Sequence, residues 1–123
     1  MNIAAIDHVQ LAMPEGREAE ARTFYVGVLG FVEVPKPDVL TSRGGLWLES
    51  GAVKLHLGIE KDFRPARKAH PAFRVSDLNG LRTACEQAGF ATSDEVPPPG
   101  IYRFFVDDPF GNRIEFIFTL PHA

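Results

Sequence analysis

Three histidines and one glutamate are the residues of this 123-residue chain whose types and placement could do chemistry: His8, His56, His70 and Glu115. Neutral imidazoles and a carboxylate are donors that a divalent ion takes from protein, and with a coordination position left open such an ion serves as a Lewis acid. Taken singly, each histidine is more often a hydrogen-bonded structural residue than a ligand. Strand parity is what joins them, because successive strand side chains point to opposite faces. Val9, Leu11 and Met13 form one face of the first apolar segment, which sends His8 and Gln10 to the other. Phe73 and Val75 oppose His70 and Arg74 in the same way, Val53, Leu55 and Leu57 oppose Lys54 and His56, and Ile114, Phe116 and Phe118 oppose Arg113 and Glu115. All four candidates therefore fall on the face away from the apolar set. A carboxylate buried there costs several kcal/mol unless paired. Histidines around a divalent ion would offset that cost; so would Arg74, Arg103 or Arg113, leaving a salt bridge and no chemistry.

The elements that must position these residues come twice. An alternating segment at Ile6 to Met13 is ended by Pro14 and followed by an acidic stretch, then by Ala21, Phe24, Tyr25, Val28 and Leu29 at spacings of three and four. That pattern predicts a strand and then an amphipathic helix, stopped at Gly30. The second half repeats the order: His70 to Val75, an N-cap at Ser76 or Asp77, a stripe of Leu78, Leu81, Cys85 and Ala88, and Gly89 as the stop. Three strands follow each helix, at about 31–35, 46–49 and 52–58, then at about 90–96, 102–107 and 112–119. The fold class predicted is α+β, a single domain 1–123 of two βαβββ modules (about 4–58 and about 69–119) with a linker over about 59–68. Asp107 to Asn112, with Pro109 and Gly111, predicts a tight hairpin turn, and Glu49-Ser50-Gly51 takes that part in the first module. The first-strand histidines are 70 − 8 = 62 apart but the turn glycines 111 − 51 = 60 apart, so an ungapped projection of Glu115 lands on residue 55. Parity instead equates it with His56. Pro97-Pro98-Pro99-Gly100 is stiff and extended, either a strand breaker or the rim of a pocket.

Composition narrows the function classes. Thirteen basic and sixteen acidic residues give a net charge of −3, and the only basic patch is short, around Arg64 to Lys68. Neither nucleic acid nor an anionic membrane surface is expected as a partner. No apolar run approaches a membrane span and no basic leader opens the chain, so the expected location is cytoplasmic. The lone Cys85 falls on the helix stripe, where a buried, inert thiol is expected. Trp47, Tyr102 and Phe105 are candidates for an aromatic pocket wall, and His122, next to the C-terminus, is given no role.

The segments Ile6-Asp7-His8-Val9, Leu29-Gly30-Phe31, Leu55-His56-Leu57, His70-Pro71-Ala72-Phe73 and, most specifically, Asp108-Pro109-Phe110-Gly111-Asn112-Arg113-Ile114-Glu115 resemble the vicinal oxygen chelate superfamily. That family groups glyoxalase I, bleomycin-resistance proteins, fosfomycin-resistance transferases and extradiol dioxygenases. The resemblance covers nearly the whole chain. It implies a cupped mixed sheet holding a divalent metal ion (Zn, Ni, Fe(II) or Mn), with His8, His70 and Glu115 at the ligand positions and His56 at a variable fourth. It further implies Glu115 and His56 as catalytic residues, a homodimer, and a small polar or electrophilic substrate handled by lyase or isomerase chemistry of the glyoxalase type. An extradiol-type dioxygenase and a metal-free drug- or metabolite-binding protein are the alternatives. The chain departs from glyoxalase I, which has a glutamate where His56 stands, and from the fosfomycin transferases, whose potassium-binding loop has no counterpart here.

Overall fold

Burial along the strands decides which side chains are left for chemistry: it alternates through Leu46 and Leu48 and through Leu55 and Leu57 but runs unbroken through Phe104, Phe105 and Val106 and through Ile114, Glu115 and Phe116. The computed structural model describes residues 1–121. The chain divides into two units, Met1–Arg64 and the part from Pro65 onward. In the first, β1 (Val9–Met13), helix α1 (Glu18–Arg22), β2 (Val32–Val34), β3 (Leu46–Ser50) and β4 (Val53–Ile59) build a four-stranded mixed sheet of order β1-β4-β3-β2, with only β1 and β4 parallel. In the second, β5 (Ala72–Arg74), helix α2 (Leu78–Gln87), β6 (Thr92–Ser93), β7 (Ile101–Asp107) and β8 (Arg113–Thr119) repeat that plan in the order β5-β8-β7-β6. The duplicated βαβββ modules are thus the observed architecture.

In the first unit Leu11, Met13, Leu55 and Leu57 are buried as parity predicts, and Leu48 is buried with them; Val53, expected on the same face, is 40% exposed because it opens β4 beside the hairpin turn. The helix differs from the regular one expected. After α1 the backbone widens into a π-helical segment, Thr23–Val28, in which the Leu29 N–H reaches the Phe24 carbonyl five residues back at 2.9 Å. Phe24 and Tyr25, both in this widened turn, are fully buried. Gly30, at φ +81°, then stops the helix. A 3₁₀ segment, Asp38–Arg43, fills the connection before β3 and has no counterpart in the sequence reading.

In the second unit Asp77 is the N-cap, its Oδ1 accepting the Gly80 N–H at 3.0 Å. Of the α2 stripe Cys85 is fully buried, whereas Ala88 is exposed in the last turn. β5 begins two residues later than expected. Pro71 has no N–H to give a ladder, yet its carbonyl still accepts from Glu115 N–H at 3.0 Å. β6 is shorter than predicted because the residues after it are drawn off by side chains: Asp94 pairs with Arg82, Glu95 with Arg113, and the Val96 carbonyl accepts from Arg103.

The β7–β8 turn is the most heavily tied segment. Asp108 and Asn112 are 4% and 1% exposed. Asp108 Oδ1 accepts the N–H groups of Phe110 and Asn112, and its Oδ2 accepts from Asn112 Nδ2 at 3.0 Å. Asn112 Oδ1 in turn accepts the Ala66 N–H at 3.0 Å, while Arg113 N–H donates to the Ala66 carbonyl at 2.9 Å. Buried polar atoms with all partners in place fix one geometry, and here that geometry sets where β8, and so Glu115, begins.

Candidate functional site

Register equates the candidate residues of the two modules. Gln10, two residues after His8, pairs with His56 across β1 and β4; Ala72, two residues after His70, pairs with Glu115 across β5 and β8. His56 and Glu115 are therefore equivalent positions, as parity predicts. The glycine count misled because the first hairpin turns between Ser50 and Val53, the second between Asp107 and Arg113.

In the second unit His70 and Glu115 are brought into direct contact. Glu115, only 7% exposed in its side chain, meets His70 Nε2 with Oε1 at 2.9 Å and Arg103 Nη1 with Oε2 at 3.2 Å. The other nitrogen of His70, Nδ1, lies 2.9 Å from the Lys68 carbonyl. Both nitrogens of this imidazole thus face acceptors, although a neutral imidazole carries one N–H. A carbonyl can only accept, so Nδ1 holds the proton. Nε2 is then a lone pair aimed at a carboxylate oxygen unless a second proton or a cation lies between them. Two ligands bonded at about 2.0–2.1 Å to one divalent ion at right angles stand roughly 2.9 Å apart. The donor pair fits a metal ion, and a carbonyl on Nδ1 is the support a ligating histidine commonly has.

Of the other arginines weighed as partners for Glu115, Arg113 goes to Glu95 at 2.6 Å. Both the Arg103 and Arg113 guanidiniums lie over Phe105, at 5.2 and 3.9 Å from the ring centre. Arg103 also donates through Nη2 to the Val96 carbonyl at 2.7 Å. Its Nε is buried and, among the described residues, has no acceptor, a loss of about 1–3 kcal/mol.

In the first unit His8 and His56 are brought together: their rings stack at 4.2 Å between centres, 21° from parallel. Trp47, paired with His56 across β3 and β4, continues the column at 4.2 Å and 4°. His8 Nδ1 lies 2.9 Å from Asp7 Oδ2, and that hydrogen bond, with help from Lys54, holds the Asp7 carboxyl below its usual range. Burial pushes the His56 imidazole down, with the neighbouring charge of His8 adding to the effect. The column borders a cavity of about 510 Å³, whose polar lining includes Gln10, Arg43 and Lys54. That size suits a small molecule. The four candidates thus fall as one pair in each unit, and among the described residues no three His, Cys, Asp or Glu side chains are gathered into a group that could hold a metal.

Comparison with known families decides to which of them the chain belongs. Residues 5–116 match the family model of the Glyoxalase/Bleomycin resistance protein/Dioxygenase superfamily. The chain belongs to this superfamily. Among solved structures, a Bacillus anthracis protein described as of the glyoxalase family is 44% identical, with 98% of each chain covered and a TM-score of 0.93. An antibiotic-binding protein from a Streptomyces species shares the fold at 21% identity, covering 98% of this chain and 99% of its own, with a TM-score of 0.73. So does a fosfomycin resistance protein from Listeria monocytogenes, at 10% identity, 99% and 96% coverage and a TM-score of 0.74. Comparison with curated proteins returns no match.

In this superfamily member Arg103 is, from sequence alone, one of three possible partners for Glu115, and neither Lys68 nor Asp7 stands out as a support for a histidine. Arg103 could have been chosen: it shares the parity of Phe105 across β7, and Phe105 pairs with Glu115. The Lys68 carbonyl could not, since no side-chain pattern reports where a backbone oxygen points. A second cavity, of about 620 Å³, lies in the second unit with Tyr102, Phe118, Arg82 and Pro97 in its lining and neither His70 nor Glu115. Pro97 is thus a pocket rim, and not the strand breaker, since β6 already ends at Ser93. Cys85 is buried and its thiol is pushed up to about 11 by that burial. Among the described residues no helix is long and apolar enough to cross a membrane, and His122 lies outside the described residues.

Proposed function

We propose that this superfamily member is a divalent-metal-dependent enzyme acting on a small polar or electrophilic molecule by lyase or isomerase chemistry of the glyoxalase type. The observation that carries this reading is the His70 imidazole with acceptors at both nitrogens, its Nε2 at 2.9 Å from Glu115 Oε1. His70 and Glu115, with His8 and His56, are the proposed ligand set; Zn, Ni, Fe(II) and Mn are the candidate ions. A bound ion of this kind polarises substrate oxygens and stabilises a developing oxyanion. The chain's own part is to hold the donors: the Lys68 carbonyl keeps the proton of His70 on Nδ1, Arg103 fixes the Glu115 carboxylate, and Asp7 accepts at His8 Nδ1. Glu115 and His56 are the groups proposed to stand beside the reacting atoms. The working assembly is proposed to be a homodimer, which light scattering would show as twice the 13.6 kDa chain mass.

Elemental mass spectrometry on untagged protein incubated with each ion in turn tests the metal. About one ion per chain, lost in His70→Ala and in Glu115→Gln, is the expected result; wild-type protein that stays empty under every ion refutes it. Turnover of a methylglyoxal–thiol adduct without oxygen separates the glyoxalase chemistry from oxygen uptake with a catechol.

A second reading, a metal-free protein that sequesters a drug or metabolite, is favoured by the Trp47–His56–His8 ring column beside its cavity. The antibiotic-binding Streptomyces protein of the same fold is the precedent. Calorimetric ligand binding unchanged by chelator supports this reading, and binding that chelator abolishes removes it.

A further inference from the structure

We propose that Arg103 is a positioning residue that confines Glu115 to ligation through one oxygen, Oε1, and so keeps a coordination position free for substrate. This rests on the metal reading above and goes beyond it by assigning a role to a residue outside the ligand set.

The two carboxylate oxygens of Glu115 have different partners. Oε1 faces His70 Nε2 at 2.9 Å, and Oε2 is held by Arg103 Nη1 at 3.2 Å. Arg103 is itself fixed from two other sides, by the Val96 carbonyl at 2.7 Å and by the Phe105 ring beneath it. A carboxylate free to rotate can offer a divalent ion both oxygens, whereas one whose second oxygen is tied to a guanidinium offers one. An outer-shell partner of this kind orients its ligand.

The duplicated module supplies an internal control. Phe105 pairs with Glu115 across β7 and β8, and Trp47 pairs with His56 across β3 and β4, so Arg103, two residues before Phe105, corresponds to Gly45, two residues before Trp47. Where the module carries a carboxylate it carries an arginine beside it. Where it carries an imidazole, which has one lone pair to give and needs no such restraint, it carries a residue with no side chain. A Cβ at Gly45 would stand 2.1 Å from the Leu57 carbonyl oxygen, so that position in the first module excludes any counterpart. The βαβββ plan does not itself require the arginine.

The test uses Co(II), whose visible spectrum reports coordination, as the probe, and azide as a competitor for the free position. Wild type, Arg103→Met and Arg103→Lys are loaded with Co(II). In Arg103→Met the freed Oε2 adds to the ion: the visible absorption weakens and azide affinity falls at least tenfold, while Arg103→Lys, which keeps a cationic donor for Oε2, stays close to wild type. A bound-Co(II) spectrum and azide affinity in Arg103→Met equal to wild type overturn the role of Arg103 and leave the metal reading intact. Wild type that takes up no Co(II) overturns the metal reading and this inference with it. Should Arg103→Met fail to fold, the wild-type protein alone decides. Infrared difference spectra of the Zn(II)-loaded protein with ¹³C-labelled glutamate, referenced to Glu115→Gln, show the wide carboxylate splitting of one-oxygen ligation if the inference holds, and the narrow splitting of two-oxygen ligation if it does not.

Discussion

Reversing the polarity of the Asp108–Asn112 pair should destabilise the protein in either single variant and restore it in the double. Asp108 accepts from two backbone N–H groups and from Asn112 Nδ2, and Asn112 Oδ1 accepts from Ala66 N–H. With Asp108→Asn, one oxygen can still serve both backbone donors, but the new amide faces the Asn112 amide. Turning the latter moves the donor–donor clash to the Ala66 N–H. One buried donor is stranded either way, at about 1–3 kcal/mol. Asn112→Asp sets two buried carboxylates about 3.0 Å apart, the present Nδ2–Oδ2 separation, and should cost more. In Asp108→Asn/Asn112→Asp every contact has donor against acceptor again: the amide at 108 donates to the carboxylate at 112, whose other oxygen accepts the Ala66 N–H. The double variant should therefore lie within about 1 kcal/mol of wild type, a coupling of several kcal/mol between residues in contact. Asp108→Ala, which strands three donors, should cost about 3–5 kcal/mol of a total of about 5–15. With a urea slope of about 1–2 kcal/mol/M, that lowers the unfolding midpoint by roughly 1.5–5 M. Urea denaturation followed by Trp47 fluorescence measures all four. A double variant whose loss equals the sum of the singles would show that the two side chains are not coupled.

Gly45→Ala and Gly30→Ala test two kinds of glycine at nearly equal φ: the first places a Cβ 2.1 Å from backbone and should cost well over the second, where nothing lies within 4 Å and only left-handed strain of about 1–2 kcal/mol is added; equal midpoints in urea contradict this. Cys85, its thiol near 11 against 9.0 for a free one, should hold about 100-fold less thiolate than a free cysteine at pH 8 and react with iodoacetamide only as the protein unfolds; rapid native alkylation counts against its burial. Arg82 holds Asp94 below its ordinary 3.8, so the pairing stabilises the fold above that value and is lost as pH falls through the lower folded value. The difference in urea midpoint between wild type and Arg82→Ala should therefore shrink below about pH 4, and a difference that grows there would be the wrong sign.

Parity and repetition carried most of what could be read in advance. The buried rows at Leu11 and Met13, at Leu55 and Leu57, and at Ile114 and Phe116 are the apolar alternations of the chain, and the equivalence of His56 with Glu115 followed from the same rule. What parity cannot report is geometry within a turn. The π-helical widening at Phe24 and Tyr25 escaped because two adjacent apolar residues read as part of one 3.6-residue stripe. The 3₁₀ segment at Asp38–Arg43 carries no periodic apolar signal, having no buried residue. In the site, the pairing of His70 with Glu115 was legible as a shared face, and Arg103 as one arginine among three. The Lys68 carbonyl on His70 Nδ1, the contact that decides where that ring keeps its proton, depends on a backbone orientation no residue type encodes.

On the proposed metal reading His70 and Glu115 face one another across a cation. A crystal grown with saturating Ni(II) or Zn(II), with diffraction recorded on both sides of the metal absorption edge, would locate it. An anomalous peak bonded to His70 Nε2 and Glu115 Oε1 is expected, with Arg103 still on Oε2 and the Lys68 carbonyl still on Nδ1. The absence of any such peak, with the 2.9 Å His70–Glu115 contact unchanged, would contradict it and leave the pair a salt bridge.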